Sequence, residues 1–190
     1  MHICYNYAMT EKRGDWQRLS SKIVHKNPFY QVRQDAVIKP DGKDGRYNVI
    51  EGKDAVFVVA MDAEQNVLLV ELHRYTNNNL SIEVPAGGLD GQQPLAAAQR
   101  ELKEEAGLTA KYWKSLGFVH PANGIVEGKN HIFLAQGLRQ TIDNDQKEEG
   151  ITKTLLVPID EALLMVKAGK ITDSESIAAL AMAALELGRL

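Results

Sequence analysis

The sequence contains a single cysteine, Cys4, and no hydrophobic stretch as long as a membrane span. One cysteine cannot form an internal disulfide, so we expect a protein of the reducing cytoplasm. A transmembrane helix needs roughly 20 consecutive apolar residues, so no association with a membrane is expected. The N-terminal residues also lack the order of basic and then apolar residues that marks a signal peptide.

The chain has no excess of basic residues, because 22 Lys and Arg stand against 25 Asp and Glu, for a net charge of −3. A nucleic-acid-binding protein normally has a basic face, so no nucleic acid is expected as a partner. Nucleotide substrates remain compatible, since they need only a few local cations. With 190 residues, 44% of them hydrophobic, the chain is long enough for one domain with a core and a small appendage.

The pattern of apolar runs and turns predicts strands over most of the chain. One hairpin is predicted around PDGKDG, residues 40–45, and another around the polar turn 62–66. Further strands are predicted in LSIEVPAGG, YWKSLGFVH, HIFLAQGL and ITKTLLVPI, and helices at 160–168 and 174–188. Strands, a glycine loop, one helix, strands and then helices predict a mixed α+β fold.

A central helix is predicted from Pro94 to Ala106. Proline is well tolerated in a first helical turn, and Gly107 suits the left-handed residue that commonly follows a helix. The residues predicted to be buried recur at spacings of three and four and are Leu95, Ala98, Leu102 and Ala106.

Three carboxylates, Glu101, Glu104 and Glu105, fall in the last turns of this helix. A helix C-terminus carries partial negative charge, so acids there are unfavourable, and these three also repel one another. A divalent cation would make the cluster favourable, since Mg²⁺ and Mn²⁺ prefer oxygen ligands and keep coordination positions for phosphate oxygens. The alternative interpretation is a charged helix face in solvent.

The stretch PAGGLDGQQPLAAAQRELKEEAGL resembles the signature of the Nudix hydrolases, G-x5-E-x7-R-E-U-x-E-E-x-G-U with U apolar. Its second half is filled without exception by Arg100, Glu101, Leu102, Glu104, Glu105, Gly107 and Leu108. The resemblance implies a metal-dependent hydrolase of nucleoside diphosphate derivatives, and a mixed sheet sandwiched between helices. It also implies metal ligands at the Ala86 carbonyl, Glu101, Glu104 and Glu105, with Mg²⁺ or Mn²⁺ bound. Glu104 and Arg100 would be catalytic, with Arg100 bracing the cluster by ion pairing.

The first half of the motif departs from the family pattern. Gln92 occupies the glutamate position, and the loop that leads to it from Gly87 is one residue short. A glutamine supplies no charge, so the shape of the loop and the number of metal ions stay open.

Beyond the motif, the segments SSKIVHKNPFYQVRQDAV, EGKDAVFVVAMD, ELHRY and EVPAGG resemble the ADP-ribose and nucleoside diphosphate sugar pyrophosphatases. This resemblance implies an N-terminal β-subdomain at 15–50, exchanged within a homodimer, and a catalytic domain at 51–190. Residues 1–14 would be a flexible extension, and residues 1–8 are expected to be dispensable. The implied reaction is hydrolysis of the pyrophosphate bond of a nucleoside diphosphate sugar, with ADP-ribose favoured.

The same resemblance suggests which residues contact the substrate. Arg74 would face the diphosphate, for which an arginine fork is well suited, and Glu83 would lie near the metals or the substrate. Tyr30, or its neighbour Phe29, would stack on the base. The alternative interpretations are a solvated strand end for Arg74, an edge-strand carboxylate for Glu83, and ordinary core for the two aromatic residues.

Activation of water requires a base within hydrogen-bond reach, and the motif glutamates would be occupied by metal. Glu127, in the loop HPANGIVEGKN, is the predicted base, with Glu148 and Glu149 as alternatives. Two further functions stay open: hydrolysis of another nucleoside diphosphate derivative, and a catalytically weak sensor that binds a nucleotide sugar.

Overall fold

The computed structural model describes residues 10–141 and 144–189. These residues form twelve strands and three helices. The strands are β1 Glu11–Arg13, β2 Trp16–Lys26, β3 Gln31–Ile38, β4 Asp44–Glu51, β5 Ala55–Met61, β6 Asn66–Arg74, β7 Asn79–Glu83, β8 Ala86–Gly88, β9 Leu108–Val119, β10 Val126–Glu127, β11 Asn130–Gln140 and β12 Ile151–Pro158. The helices are α1 Pro94–Ala106, α2 Ile159–Lys167 and α3 Ser174–Glu186.

The strands belong to two compact units. The first unit comprises the described residues up to Lys53 together with His120–Gly128. Its sheet has the order β1-β2-β3-β4-β10, and all pairs are antiparallel except β10 with β4. Strand β1 lies within the predicted extension 1–14, so residues 11–13 of that extension are part of a sheet. Residues 1–9, which include the segment expected to be dispensable, lie outside the described residues.

The second unit comprises Asp54–Val119 and the residues from Lys129 onward. Its mixed sheet has the order β12-β6-β5-β11-β9, with β7 paired to β6 and β8 paired to β5. Strand β11 runs parallel to β5, and the other pairs are antiparallel. None of the helices in the described part of the chain is long and apolar enough to span a membrane.

Hydrophobic side chains cover both faces of this second sheet. Because successive side chains of a strand point to opposite faces, β5 sends Val59 and Met61 into one cluster and Val56, Val58 and Ala60 into the other. The first cluster includes Ile159 of α2 and Leu180 of α3, and the second includes Leu102 of α1. The sheet is therefore sandwiched between α1 and the pair α2 and α3, which confirms the predicted α+β sandwich.

Helix α1 begins and ends as predicted. Pro94 occupies the first turn, and Gly107 adopts a left-handed conformation, with φ of 64°, while its N–H caps carbonyls of the last turn. The predicted buried stripe is correct at Ala98, Leu102 and Ala106 but wrong at Leu95, which is 41% exposed. The side of the helix that packs against the sheet is instead completed by Ala97 and by two of the glutamates.

Candidate active site

Glu101 and Glu105 lie on the buried side of α1, one turn apart. They are 5% and 6% exposed, whereas an ordinary glutamate stays in solvent. The periodicity of α1 placed the three glutamates beside the apolar stripe, but it did not show that two of them are covered. The cover is provided by the neighbouring strand β8, whose residues contact both carboxylates.

Glu105 is held by the backbone of β8. Its Oε2 accepts a hydrogen bond of 2.8 Å from the Ala86 N–H. Burial raises the pKa of the Glu105 carboxyl to about 8, although the Ala86 hydrogen bond opposes this rise, and the charge of Glu101 raises it further. A buried carboxyl group with a raised pKa loses its proton most readily when a metal cation replaces that proton.

Glu101 lies directly against Gly87. A Cβ atom on that glycine would come within 2.1 Å of the Glu101 Oε1, so any larger residue at this position would displace the Glu101 carboxylate. Burial raises the pKa of Glu101 to about 7; the positive charge of Arg100 opposes this effect, and the charges of Glu104 and Glu149 add to it. The two buried carboxylates are therefore adjacent acids with raised pKa values on one helix face.

Arg100 links the motif helix to the glycine loop. Its guanidinium lies 2.7 Å from the Glu101 Oε1 and 2.8 Å from the Glu104 Oε2, and it donates a 2.7 Å hydrogen bond to the Gly88 carbonyl. Its Nε donates a 3.2 Å hydrogen bond to the Gln92 Oε1. Since the side chain is only 26% exposed, this set of partners fixes the guanidinium in one place, between two glutamates and the loop.

The acids are thus divided into two groups. Glu101 and Glu105 face β8, while Glu104 is held by Arg100. Within residues 10–141 and 144–189, no three His, Cys, Asp or Glu side chains are arranged as the ligands of one metal ion. A cation at the buried pair would take two carboxylates and complete its shell with backbone oxygen and water, which is the mode of binding that Mg²⁺ prefers. The donor set therefore fits a hard divalent cation.

A cleft of roughly 370 Å³ opens beside this pair, and Ala86, Gly87 and Gly88 form part of its wall. Arg74 and Glu83 also line it, joined by two hydrogen bonds of 2.8 and 2.5 Å. Burial by itself raises the pKa of Glu83, but the hydrogen bonds from Arg74 and Ser81 and the charge of Arg74 outweigh it, so the pKa is lowered. Glu83 is therefore a buried carboxylate that holds Arg74 at the cleft.

The remaining wall of the cleft consists of two apolar residues, five neutral polar residues and one acid. They are Ala55, Phe57, Thr76, Asn77, Asn79, Ser81, Thr172 and Asp173. The sequence analysis did not select any of them. The sequence offers only weak signals for these residues, since the NNN run is typical of a turn and Asp173 is typical of a helix cap. In the structure Asp173 does cap α3, because its side chain accepts a hydrogen bond from the Ser176 N–H.

The segment 144–150 is anchored to the C-terminal end of α1. The Asp145 N–H donates to the Glu104 carbonyl at 2.9 Å, and the Gln146 side chain donates to the Glu105 carbonyl at 2.9 Å. The charge of Glu149 is close enough to raise the pKa of both Glu101 and Glu105. Of the three acids considered as the base, Glu149 is the one whose charge acts on the buried pair in this way.

Glu127 and Tyr30 belong to the first compact unit. The Glu127 carboxylate lies 3.1 Å from the Arg33 Nη2, and a second cation, Arg13, is 3.9 Å away. Tyr30 is 43% exposed and packs on the His25 ring at a centroid distance of 5.6 Å, beside the 74% exposed Phe29. These two aromatic residues are therefore surface residues of the unit, not core.

Comparison with known proteins adds to this geometry. Residues 52–180 match the family model of the NUDIX domain, and residues 16–50 match the nucleoside diphosphate sugar hydrolase N-terminal domain. The chain belongs to the Nudix family.

Individual Nudix relatives extend over most of the chain. An ADP-ribose pyrophosphatase of Mycobacterium tuberculosis is 35% identical over 167 residues, covering 86% of this chain and 81% of that protein. A CMP-5'-(N-acetyl-N-hydroxy-3-aminopropyl)phosphonate hydrolase of Streptomyces rubellomurinus is 27% identical over 172 residues, covering 90% and 83%. The crystal structure of an ADP compounds hydrolase shares the fold, with a TM-score of 0.81 at 19% identity over 95% of this chain and all of that one.

The position at which this chain departs from the Nudix pattern lies next to Arg100. Gln92 replaces the family glutamate, and its amide oxygen accepts from the Arg100 Nε. A carboxylate is nevertheless present, because the Asp90 Oδ2 lies 3.6 Å from the Arg100 Nη2. Asp90 adopts a φ of 47° in the tight loop before α1, a left-handed conformation that aspartate tolerates better than most residues.

Proposed function

We propose that this Nudix protein hydrolyses the pyrophosphate bond of a nucleoside diphosphate sugar, with ADP-ribose as the leading substrate. The observation that carries the proposal is the buried pair Glu101 and Glu105 against β8, which is also a wall of the cleft that holds Arg74. Nudix hydrolases generally need a divalent metal, and the name of the Mycobacterium tuberculosis relative supports ADP-ribose. Water would attack one phosphorus and break the P–O–P bond, giving AMP and ribose 5-phosphate.

The metal-binding residues in this proposal are Glu101, Glu105 and the Ala86 carbonyl, with Mg²⁺ or Mn²⁺ as the ion. A bound divalent cation neutralises phosphate charge and lowers the pKa of water. Glu104 is proposed as a further, weaker metal ligand, because its carboxylate already accepts a hydrogen bond from Arg100. Arg100 in turn holds Glu101 and Glu104 in fixed orientations, which is the positioning that phosphoryl chemistry depends on.

Arg74 is proposed to bind the diphosphate. Its side chain is 44% exposed at the cleft while Glu83, which is only 4% exposed, holds it by two parallel hydrogen bonds. The guanidinium has five N–H donors, and two of them are used by Glu83, so donors remain for phosphate oxygens. Glu83 then orients the arginine and itself lines the cleft that would take the substrate.

The proposed base is one of the loop acids, and the electrostatics of the buried pair favour Glu149 over Glu127. Glu127 is ion-paired with Arg33 within its own unit, whereas the charge of Glu149 acts on both buried motif acids. Loss of a general base costs roughly 10²–10⁴-fold in turnover. We expect Glu149→Gln to lower kcat by this amount, and Glu127→Gln to lower it less than tenfold. The reverse result would assign the role to Glu127.

A homodimer is also proposed, with the first compact unit as its contact surface and Tyr30 near the base of the bound substrate. Strand β2 exposes Ile23 at 48% and its neighbour Val24 at 49%, so it presents two adjacent apolar side chains to solvent. Light scattering should give twice the formula mass of 21.0 kDa. Val24→Asp should produce a monomer, whereas the matched change Leu164→Asp, at a 61% exposed residue of the second unit, should not.

The proposed function is tested by supplying Mg²⁺ and a panel of substrates: ADP-ribose, ADP-glucose, GDP-mannose, a dinucleoside polyphosphate and an oxidised nucleoside triphosphate. Chromatography should detect AMP and ribose 5-phosphate with the highest kcat/KM for ADP-ribose. Preferential cleavage of the last two substrates would replace this function by another Nudix activity. Binding of ADP-ribose without cleavage of any substrate would indicate a sensor.

A further inference from the structure

The cleft next to the buried glutamates changes its chemistry from one end to the other. At the end formed by β8, Ala86, Gly87 and Gly88 adjoin Glu101 and Glu105. On the rest of the wall stand the neutral side chains of Asn77, Asn79 and Thr172, together with the carboxylate of Asp173. A ligand whose phosphate is bound by a cation at the glutamates would therefore direct its next group toward amides, hydroxyls and one acid.

The charge of this wall does not suit a second anionic group. Arg74 is the cation among the residues that line the cleft, and Glu83 takes two of its donors. Asp173 adds negative charge at the cleft wall, and its Oδ2 accepts a hydrogen bond of 2.7 Å from the Ser176 N–H. A carboxylate that lines a cleft accepts hydrogen bonds from hydroxyl groups and repels phosphate.

The wall is also unsuited to a nucleobase. Phe57 is the aromatic residue that lines the cleft, and its ring is partly buried against the hydrophobic cluster under α2 and α3. Base recognition usually relies on an exposed aromatic face for stacking. Asn77 and Asn79 are exposed instead, and their amides make no hydrogen bond within the described residues, so both carry donors and acceptors available to a polyol.

We propose that Asn77, Asn79 and Asp173 bind the hydroxyl groups of the sugar, so that the sugar phosphate half of the substrate occupies this cleft. The inference rests on the proposed function, since it names the half of the nucleotide sugar that the cleft takes. It makes these three residues determinants of sugar specificity, whereas Arg74 and the glutamates act on the diphosphate common to all such substrates.

The test compares ADP-ribose with the ethyl ester of ADP, which keeps the adenosine and the diphosphate but has no sugar beyond them. The variants are the double change Asn77→Ala with Asn79→Ala, and Asp173→Ser, which keeps a residue able to cap α3. The control is Asn78→Gly, because Asn78 has a φ of 49° and is not part of the cleft wall.

Loss of two hydrogen bonds should lower kcat/KM for ADP-ribose by roughly 10- to 100-fold, mainly through KM. The value for the ethyl ester and both values for Asn78→Gly should stay within about twofold. An equal loss with both substrates would overturn the proposal, because it would indicate that the cleft takes the adenosine or that the fold is disturbed. No loss with either substrate would also overturn it.

Failure of the proposed function would have a different signature, which is that the unmodified protein cleaves neither compound. The cleft can then be tested by itself, by calorimetric titration with ribose 5-phosphate in the presence of Mg²⁺. We expect binding that Asn77→Ala with Asn79→Ala weakens by at least tenfold. If the unmodified protein does not bind ribose 5-phosphate, the inference is wrong.

Discussion

Strand β2 buries none of its eleven residues, whereas strand β5 buries five of its seven. This contrast extends to the two compact units. In the described part of the first unit, the buried residues are Arg33, Asp35 and Val37, two of them charged. The second unit buries hydrophobic side chains on both faces of its sheet and adds only a few acids and polar groups.

The buried charges of the two units therefore have different consequences. In the first unit, Arg33 is paired with Asp35 at 3.0 Å and also contacts Glu51, and Ser21 donates to Asp35 at 2.5 Å. Every buried charge there has an opposite partner. In the second unit, Glu101 and Glu105 are two like charges, and their raised pKa values reflect burial that is incompletely compensated. Fully paired buried charges are typical of a structural role, whereas buried acids with raised pKa values and only partial compensation are typical of a functional site.

The largest effect should follow from removing a buried acid of the second unit. Glu105→Gln should lower the turnover number by several orders of magnitude, because a neutral amide is a poor ligand for Mg²⁺. The melting temperature without metal should stay equal or rise, since the change removes a carboxylate that is unfavourable at this position. Turnover assays in saturating Mg²⁺ and thermal unfolding in EDTA measure the two quantities. Near-normal turnover would show that Glu105 is not a metal ligand.

Removing a buried charge from the first unit should instead lower the stability of that unit. Arg33→Met leaves Asp35, which is 4% exposed, without its cation, and breaking a buried pair costs about 3–5 kcal/mol. Hydrogen exchange should accelerate in β3 while β5 stays protected. As a control, Arg33→Met with Asp35→Leu should recover most of the loss, because a well-packed apolar pair can replace a buried ion pair. If the single change leaves the exchange of β3 unaltered, the ion pair does not stabilise this unit.

Local signals made part of this structure predictable. Helix α1 has the predicted bounds because Pro94 and Gly107 act on their own neighbours in the chain. The burial of Glu101 and Glu105 was not predictable in the same way, since it depends on β8, a separate strand that contacts both carboxylates. Strand β10 was missed for a similar reason, because a two-residue strand exists only through its pairing with β4.

The candidate site likewise contains residues that a local sequence motif marks and residues that only the fold brings together. Arg100, Glu101 and Glu105 were selected because they match the Nudix signature, whereas helical spacing by itself also fits a charged helix face in solvent. Asn77, Asn79 and Asp173 line one cleft but come from two distant stretches of sequence, so no local sequence pattern marked them. Glu149 is a comparable case, since its influence on the motif acids arises from the anchoring of segment 144–150 to α1.

The contrast between the units also predicts how stability changes with pH. The pKa of Glu105 rises from 4.5 to about 8, so the folded state binds more protons than the unfolded state within this window. The free energy of unfolding should therefore be highest below the ordinary pKa and fall as the pH rises toward 8. Thermal unfolding in EDTA from pH 5 to 8 should show this fall. Saturating Mg²⁺ should remove it, because the cation takes the place of the protons.

The matched variant for the pH series is Glu101→Gln with Glu105→Gln. It should lack most of the decline, while Asp35→Asn, a change of a paired acid in the first unit, should keep the decline and lower stability at every pH. If the free energy of unfolding of the double variant falls as much as that of the unmodified protein, other groups cause the pH dependence. The contrast between the paired acid Asp35 and the two motif acids would then be wrong.

The smallest effect is expected where this chain departs from the Nudix pattern. Arg100 has a glutamine at 3.2 Å, where the pattern places a glutamate, and Asp90 at 3.6 Å. Asp90 is 58% exposed, so its attraction to Arg100 is worth no more than about 1 kcal/mol. Asp90→Asn should loosen Arg100 and lower kcat by a few-fold, and Gln92→Glu in that background should restore it. Asp41→Asn, at a turn of the first unit, is the control and should leave kcat unchanged. If Gln92→Glu has the same effect with and without Asp90, the two positions do not share Arg100, and the charge missing from the motif is not supplied by Asp90.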